Sequence, residues 1–464
     1  MKKSIIRTLS VAALSAGSLL AMTACEGVQG AVYEKGTPVK VGLICLHNDE
    51  STYDANFIKA LDEAVKDLGA EKVTYDKSLL KVNINEDQAC YDAAKELVKE
   101  GCNVIFADSF GHQDFMLQAA QEWPSVQFCH ATGTNAKTAN LENYHNAFAS
   151  IYEGRFLAGL AAGARLALDA IYLDGKTPMD TIEPFSVGYV GAYPYAEVKS
   201  GYTSWYLGVK EGFSSVFVGQ GDKISMDVQF TNSWYDPTAE KSAAETLITN
   251  GAKLISQHAD SMGAPGACEA KNIPNVTYNV ETGDTCKETY LAYSRINWAP
   301  YYKAVVNALY EGKAIEGETN HNWTGTLATG SVEYNFNWDN VLKNVPTDYK
   351  DDIKSFFEEK LNGKGEGDLH EKGLLEELAD GTYKVFDTAN FTLDAKVAEK
   401  AGATIDDNGH VTSYKADTDG DFVGDTEVIV AKDTDKGIPA YFNESFFCSA
   451  PYFDLDIKGI NLPN

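Results

Sequence analysis

The chain has 464 residues, 39 of them Lys or Arg and 67 Asp or Glu, for a formal net charge of −28 at pH 7. So acidic a protein is a poor partner for nucleic acid or an anionic membrane surface. No apolar run reaches the roughly twenty residues that a transmembrane helix needs, and the length suffices for two or three separately cored units.

The N-terminus reads as an export signal. Lys2, Lys3 and Arg7 precede a short apolar run, Val11 to Met22, and the small residues Thr23 and Ala24 lead into Cys25, the layout of a secretory leader. Ala21-Met22-Thr23-Ala24-Cys25 resembles a bacterial lipobox, with Met22 where leucine is usual. That resemblance implies a signal peptide over 1–24, lipid on Cys25 and a tethering linker over 25–38. The alternative is an ordinary leader with an incidental cysteine. Seven further cysteines, at 45, 90, 102, 129, 268, 286 and 448, cannot all pair, and no C-x-x-C occurs. Neither a zinc site nor a redox pair is signalled. Mostly reduced, buried thiols are expected, with Cys45 and Cys129 packing inside apolar strands as small hydrophobes.

From residue 39 strands and helices alternate. Val39 to Leu46 reads as a strand, Asn56 to Leu68 as a helix closed by Gly69, and Lys72 to Asn83 as a second strand region. Asp87 to Glu100 is a helix ended by Gly101, Val104 to Ala107 a strand, Asp114 to Glu122 a helix, and Val126 to Ala131 a strand. A long helix is expected over Ile151 to Leu168, after which the alternation restarts. Strands at Ser186 to Ala192, Ile224 to Phe230, Lys253 to Gln257 and Val276 to Asn279 are separated by helices at Ala196 to Glu211, Pro237 to Asn250 and Gly263 to Lys271. This pattern predicts an α/β protein with two parallel sheets flanked by helices. The expected division is one lobe over 39–150, a second over 151–280, a return to the first over 281–330, and a C-terminal extension over 331–464. The extension carries a charged helical insertion near 340–381 and a strand at Tyr383 to Phe386. Its Asp417 to Glu427 stretch superficially resembles a calcium loop, but Phe422 and Val428 stand where an EF-hand needs glycine and glutamate. A solvated acidic loop is the expectation.

Open α/β sheets bind ligands beyond the carboxyl ends of their strands, and the uncommon residues concentrate there. The segments are His47 to Phe57, Asp108 to His112, Thr231 to Asp236, His258 to Gly263 and Ser294 to Trp298. Candidate ligand residues are Asp49, Tyr53, Asp54, Phe110, His112, Trp234, Asp236, Asp260, Asn279, Arg295 and Asn297. Aromatic faces beside carboxylates and amides suit a flat, hydroxylated ligand. Each has a plainer alternative: Asp49 or Asp54 as a helix cap, Tyr53 and Trp234 as surface plugs, His112 and His258 as structural residues. No histidine has metal-ligand spacing, and no metal or cofactor is expected. Hydrolase, phosphate-loop, dinucleotide and metalloprotease motifs are absent from the sequence, which disfavours an enzyme.

The order of these segments resembles the basic membrane protein (BMP) family of substrate-binding lipoproteins from about Val39 to Gly325. Asp49-Glu50-Ser51-Thr52-Tyr53-Asp54 is similar to the family's D-x-x-S-F-N box, Ser109-Phe110 to its G-F, and Trp123-Pro124 to its Y-P. Val187-Gly188-Tyr189-Val190-Gly191-Ala192 is similar to V-G-F-V-G-G, and Ser233-Trp234-Tyr235-Asp236 to S-F-x-D. The resemblance implies a type I periplasmic-binding-protein-like fold, with two lobes and a multi-crossing hinge. It also implies an ABC permease as membrane partner and a small-molecule ligand, with a nucleoside favoured. A ligand-sensing lipoprotein, or a receptor for another polyhydroxylated or heterocyclic solute, is the alternative. Departures bear on the ligand. Asn279 stands where nucleoside-binding members carry aspartate, Asn297 where they carry lysine, with Arg295 nearby, and Asp260 lies within their glycine-rich turn.

Overall fold

The computed structural model describes residues 34–315, 321–364 and 371–463. Cys25, the expected signal peptide and most of the expected linker lie outside them. Among the described residues no helix is long and apolar enough to cross a membrane.

Strand β1 (Val39–Ile44) is buried along nearly its whole length, as a central parallel strand covered on both faces must be. It leads to helix α1 (Thr52–Leu68), which starts four residues earlier than its apolar spacing suggested. Ser51 caps the helix by accepting the Asp54 N–H, so Tyr53 and Asp54 occupy its first turn. The first lobe continues through β2 (Val73–Thr74), β3 (Leu80–Lys81), α2 (Gln88–Lys99), β4 (Val104–Ala107), α3 (Gln113–Glu122), β5 (Gln127–Ala131), α4 (Ala136–Ala139) and β6 (Tyr144–Ala149). The chain crosses at Ser150 into α5 (Ile151–Tyr172). The second lobe then follows as β7 (Phe185–Gly191), α6 (Ala196–Ser214), β8 (Ile224–Phe230), α7 (Pro237–Thr249), β9 (Ile255–His258), α8 (Gly263–Lys271), β10 (Asn275–Tyr278) and β11 (Tyr290–Ile296).

The expected return at 281 comes later. β11 is still a strand of the second sheet, pairing in parallel with β10. Only α9 (Ala299–Glu311), which packs beside α1, and β12 (Asn322–Gly325), paired with β6, rejoin the first lobe. β13 (Val332–Phe336) then crosses again and runs antiparallel to β11. The first sheet is ordered β12-β6-β5-β4-β1-β2, with β3 also on β1. The second is β13-β11-β10-β9-β7-β8, completed by Ile460–Asn461 beside β8. The chain thus passes between lobes three times, at Ser150, at Asn297 to Trp298, and between Gly325 and Val332.

Helices α5 and α6 meet backbone to backbone. A Cβ added at Gly159, Gly163, Gly208 or Gly212 would overlap a carbonyl of the facing helix, so no larger residue fits at these four positions.

Past β13 the charged segment forms helices at Thr347–Asn362 and Leu374–Ala379. Tyr383 to Phe386, expected as a strand, is turn and irregular backbone. Its apolar side chains are used for packing: Phe386 stacks on Phe453 at 4.4 Å and lies 5.2 Å from Tyr152 of α5. The extension therefore belongs to the second lobe's core, yet it also reaches the first. Ser449 Oγ donates to Asn322 Oδ1 at 3.3 Å, and Thr324 Oγ1 donates to the Ser445 carbonyl at 3.5 Å. The seven cysteines of the described residues are all buried.

Candidate ligand-binding cleft

The carboxyl ends of the two sheets face each other and are drawn together. The Thr52 N–H donates to the Asp260 carbonyl across the lobes at 2.9 Å. The His47 and Tyr235 rings meet at 5.4 Å, and those of Phe110 and Tyr195 at 5.9 Å. Between them lies a narrow cleft. Leu46, His47, Tyr53, Asp54, Ser109, Phe110 and Thr132 line it from one lobe, and Glu197, Trp234, His258 and Asp260 from the other. Thr132 holds a left-handed φ of 65°, a strained conformation for a β-branched residue of the kind that collects at binding sites.

Asp54 is fixed by α1. One oxygen accepts the His47 N–H at 2.7 Å and the other the Ser51 hydroxyl at 2.5 Å. Burial raises its pKa, but the bonds from His47 and Ser51 outweigh that, holding the carboxyl below its usual range. Asp108, at the end of β4, behaves oppositely. Its Oδ1 accepts the Leu46 N–H at 3.1 Å, while Oδ2 is buried without a hydrogen-bond partner. Burial and then the Asp54 charge push Asp108 well above the usual carboxyl range. Donor atoms of Cys45, Asp54 and Asp108 lie within 4.8 Å of one another. The opposed shifts are those of a coupled carboxyl pair that together holds a proton more tightly than a lone carboxyl does. The Asp417, Asp419 and Asp421 carboxylates form a second such group, partly exposed, and their oxygens accept backbone N–H groups within their own loop.

On the second lobe, Glu197 sits in the first turn of α6 and is pushed up to about 7 by burial. Its Oε1 lies 3.4 Å from His258 Nε2, and burial drives His258 well below its ordinary value. Behind them Arg155 is fully buried. It donates to Tyr189 Oη at 3.0 Å and the Gln257 carbonyl at 2.8 Å, with its guanidinium 3.5 Å from the Tyr278 ring centroid. Asp260 is buried and pushed well up, first by desolvation and then by the nearby Glu240 charge. Trp234, in the turn after β8, packs edge-on to Tyr193 at 5.1 Å.

Of the residues expected from sequence, Tyr53, Asp54, Phe110, Trp234 and Asp260 come together in the cleft. The other six are placed elsewhere. Asp49 is exposed on the turn before α1. Asp236 caps α7, accepting the Thr238 and Ala239 N–H groups. His112 is fully buried behind the cleft, its Nε2 donating to the Ile84 carbonyl at 2.9 Å and its Nδ1 4.0 Å from Asp108. Asn279 is buried at the end of β10 with a left-handed φ of 69°, its side chain unpartnered. Arg295 and Asn297 are both committed to Glu333, at 2.6 Å through Arg295 Nε and 2.8 Å through Asn297 Nδ2. That bracket ties β11 to β13 where the chain crosses, and Asn297 Oδ1 also accepts the Ala299 N–H at the start of α9. The cleft residues that sequence reasoning did not select are Leu46, His47, Ser109, Thr132, Glu197 and His258. Glu197 was findable: Tyr193-Pro194-Tyr195-Ala196-Glu197 follows a strand end like the other segments.

Two α/β lobes, three crossings and a closed interlobe cleft define the architecture of a solute-binding protein. A crystal structure of an ABC transporter system solute-binding protein from Aeropyrum pernix K1 shares this fold, with a TM-score of 0.53 at 13% identity, covering 78% of this chain and 96% of that one. Residues 42–367 match the Bmp family model, described as ABC transporter substrate-binding protein PnrA-like, and the chain belongs to that family. It is a family of substrate-binding transport proteins rather than of enzymes. Among curated relatives, one named as an ABC transporter glucose-binding protein, from Haloferax volcanii, is 30% identical over 56% of this chain. A purine-binding protein of Brucella abortus is 28% identical over 60%. The matched region spans 57% and 67% of those relatives' lengths. The extension beyond residue 367 lies outside the family match.

Proposed function

We propose that this protein is the extracytoplasmic solute receptor of an ABC importer, closing its lobes over a nucleoside or closely related heterocycle and presenting it to a membrane permease. The observation that carries this reading is the convergence of Trp234 and Phe110, two ring faces, with Asp54 and Asp260, two carboxyl groups, from opposite lobes of one cleft. Rings stack on a base, and carboxylates accept from its N–H groups or from a sugar's hydroxyls. The purine-binding relative supports the nucleoside. Lobe closure supplies the differential affinity, since a closed form held by both lobes is stabilised only when the ligand touches both. Lipid on Cys25 would keep the receptor beside its permease.

A hexose is the second reading, favoured by the glucose-binding relative, because aromatic faces with carboxylates also suit a sugar. Mass spectrometry of small molecules released on denaturing the purified protein, followed by calorimetric titration with the compound found, separates the two. Release of a nucleoside or base with saturable binding is the expected result. A hexose as the released compound overturns the nucleoside assignment, and conversion of the added compound during incubation overturns the receptor.

A further inference from the structure

A second cavity lies away from the interlobe cleft. It is a groove of about 730 Å3 where the C-terminal extension stands against the second lobe. That volume falls within the range of small-molecule sites, which favour seams between structural units. Phe156 of α5, Tyr206 of α6 and Ile224 of β8 line one wall, and Tyr383, Phe391 and Ile457 of the extension line the other. The groove lies at the amino ends of β8 and of the Ile460–Asn461 strand, so it sits at the end of the second sheet opposite the cleft. The second wall is beyond residue 367, outside the family match, and the groove is therefore a product of this chain's own extension.

Both walls are fixed by the protein's own bonds. The Tyr206 hydroxyl donates to the Ile224 carbonyl at 2.6 Å, and the Lys458 N–H to the Thr392 carbonyl at 2.8 Å. His410 Nδ1 lies 2.9 Å from the Thr388 carbonyl and 3.1 Å from that of Phe391. The charges then say what fits. In a chain of net charge −28, this groove is lined by three lysines, Lys210, Lys223 and Lys458, against two carboxylates, Glu211 and Asp222. Lys210 pairs with Asp222 at 2.6 Å, and Glu211 pairs with Lys360 at 2.6 Å. Lys223 and Lys458 are left over, and neither has an ion-pair partner among the described residues. The pairing of Ile460 with Met226 sets Lys458 level with Ile224, so the two lysines leave neighbouring chain segments one residue out of step. Like charges placed side by side are relieved by an anion between them.

We propose that this groove is a second ligand site, independent of the interlobe cleft, for a small organic anion with an apolar ring body. The carboxylate or phosphate of that anion bridges Lys223 and Lys458 through charge-assisted hydrogen bonds, and its ring lies against Tyr383 and Phe391. The aromatic wall favours an organic body over an inorganic ion, and the two free cations favour an anion over a neutral solute.

The test is calorimetric titration of the full chain with 1-naphthoate, 1-naphthyl phosphate and neutral 1-naphthamide. The expected result is saturable binding of one anion per chain, and the tighter of the two anions tells which acid group the site takes. In the double variant Lys223→Gln with Lys458→Gln, that affinity should fall by about tenfold or more, for the loss of two charge-assisted bonds. Thr392→Trp, which puts a ring at the groove wall, should abolish binding, and Trp234→Ala in the cleft should leave it unchanged. Thermal unfolding midpoints near that of wild type would show that the variants fold. Absence of binding by both anions overturns the proposal, as does 1-naphthamide binding within about threefold of them. Wild-type affinity in the double lysine variant overturns it equally. So does loss of binding in Trp234→Ala, which would put the probe in the cleft.

Discussion

Replacing Asp108 with asparagine tests the shared proton directly. The amide keeps an acceptor for the Leu46 N–H and puts a donor where the unpartnered Oδ2 now faces Asp54, so the geometry survives. The wild-type carboxyl is neutral in the folded protein at pH values where it is ionised in the unfolded chain. A raised folded-state pKa in an acid means the folded form binds more protons, so stability is greatest below the unfolded pKa of about 4 and falls as pH rises toward the folded pKa. The slope is about 1.4 kcal/mol per pH unit, and Asp108 is fully buried, so solvent screening does not reduce it. Asp108→Asn removes that slope. Relative to wild type, the variant should therefore gain stability, at up to about 1.4 kcal/mol per pH unit, as pH rises from about 4 toward the raised folded-state pKa. Urea unfolding at several pH values, followed by circular dichroism, measures this difference. A difference that does not change with pH would refute the reasoning, because Asp108 would then be ionised in the folded state, balanced by a cation on Cys45, Asp54 and Asp108.

Three further outcomes are expected. Trp234→Ala should weaken nucleoside binding by about 1–3 kcal/mol, the worth of one base–aromatic stack; unchanged affinity in a calorimetric titration removes Trp234 from the site. Phe453→Ala should destabilise the protein by about 3–5 kcal/mol, because that ring is fully buried and stacked on Phe386; an unchanged urea midpoint would show that the extension does not share the second lobe's core. Glu333→Gln should cost about 1 kcal/mol or less in stability, since its pair with Arg295 is about one-third exposed. It should nevertheless change ligand association and dissociation rates in stopped-flow fluorescence, because it loosens a crossing, and identical rates would argue against that role.

Much of the fold was legible because β/α alternation is written in local periodicity and in glycines such as Gly69 and Gly251 that end helices. Tyr53, Asp54, Phe110, Trp234 and Asp260 were legible for a related reason: the carboxyl ends of parallel strands share one side of a sheet. What failed was long-range. Nothing local says that Arg295 and Asn297 will meet Glu333, thirty-eight and thirty-six positions away, and so leave the cleft for a crossing. Asp236 followed by Pro237 carried a cap signal that competed with the ligand reading and prevailed. Tyr383 to Phe386 had the composition of a strand, but its apolar side chains serve the core and only its end meets a neighbouring strand, where the Phe386 carbonyl accepts the Phe442 N–H and Asp387 forms an isolated bridge with Tyr441. The start of α1 was misplaced because Ser51, a polar cap, extended the helix beyond its apolar pattern.

The seam between α5 and α6 has a consequence for affinity. Arg155 lies on the first turns of α5 and Glu197 on the first turn of α6, and the glycines downstream hold those helices in backbone contact. With no layer of side chains between the axes to repack, both groups are set in position before any solute arrives. The second lobe then loses little conformational freedom on binding, and that saving goes into a tighter complex. Widening the seam at Gly208 would consequently loosen ligand binding from well outside the cleft, without altering a residue that lines it.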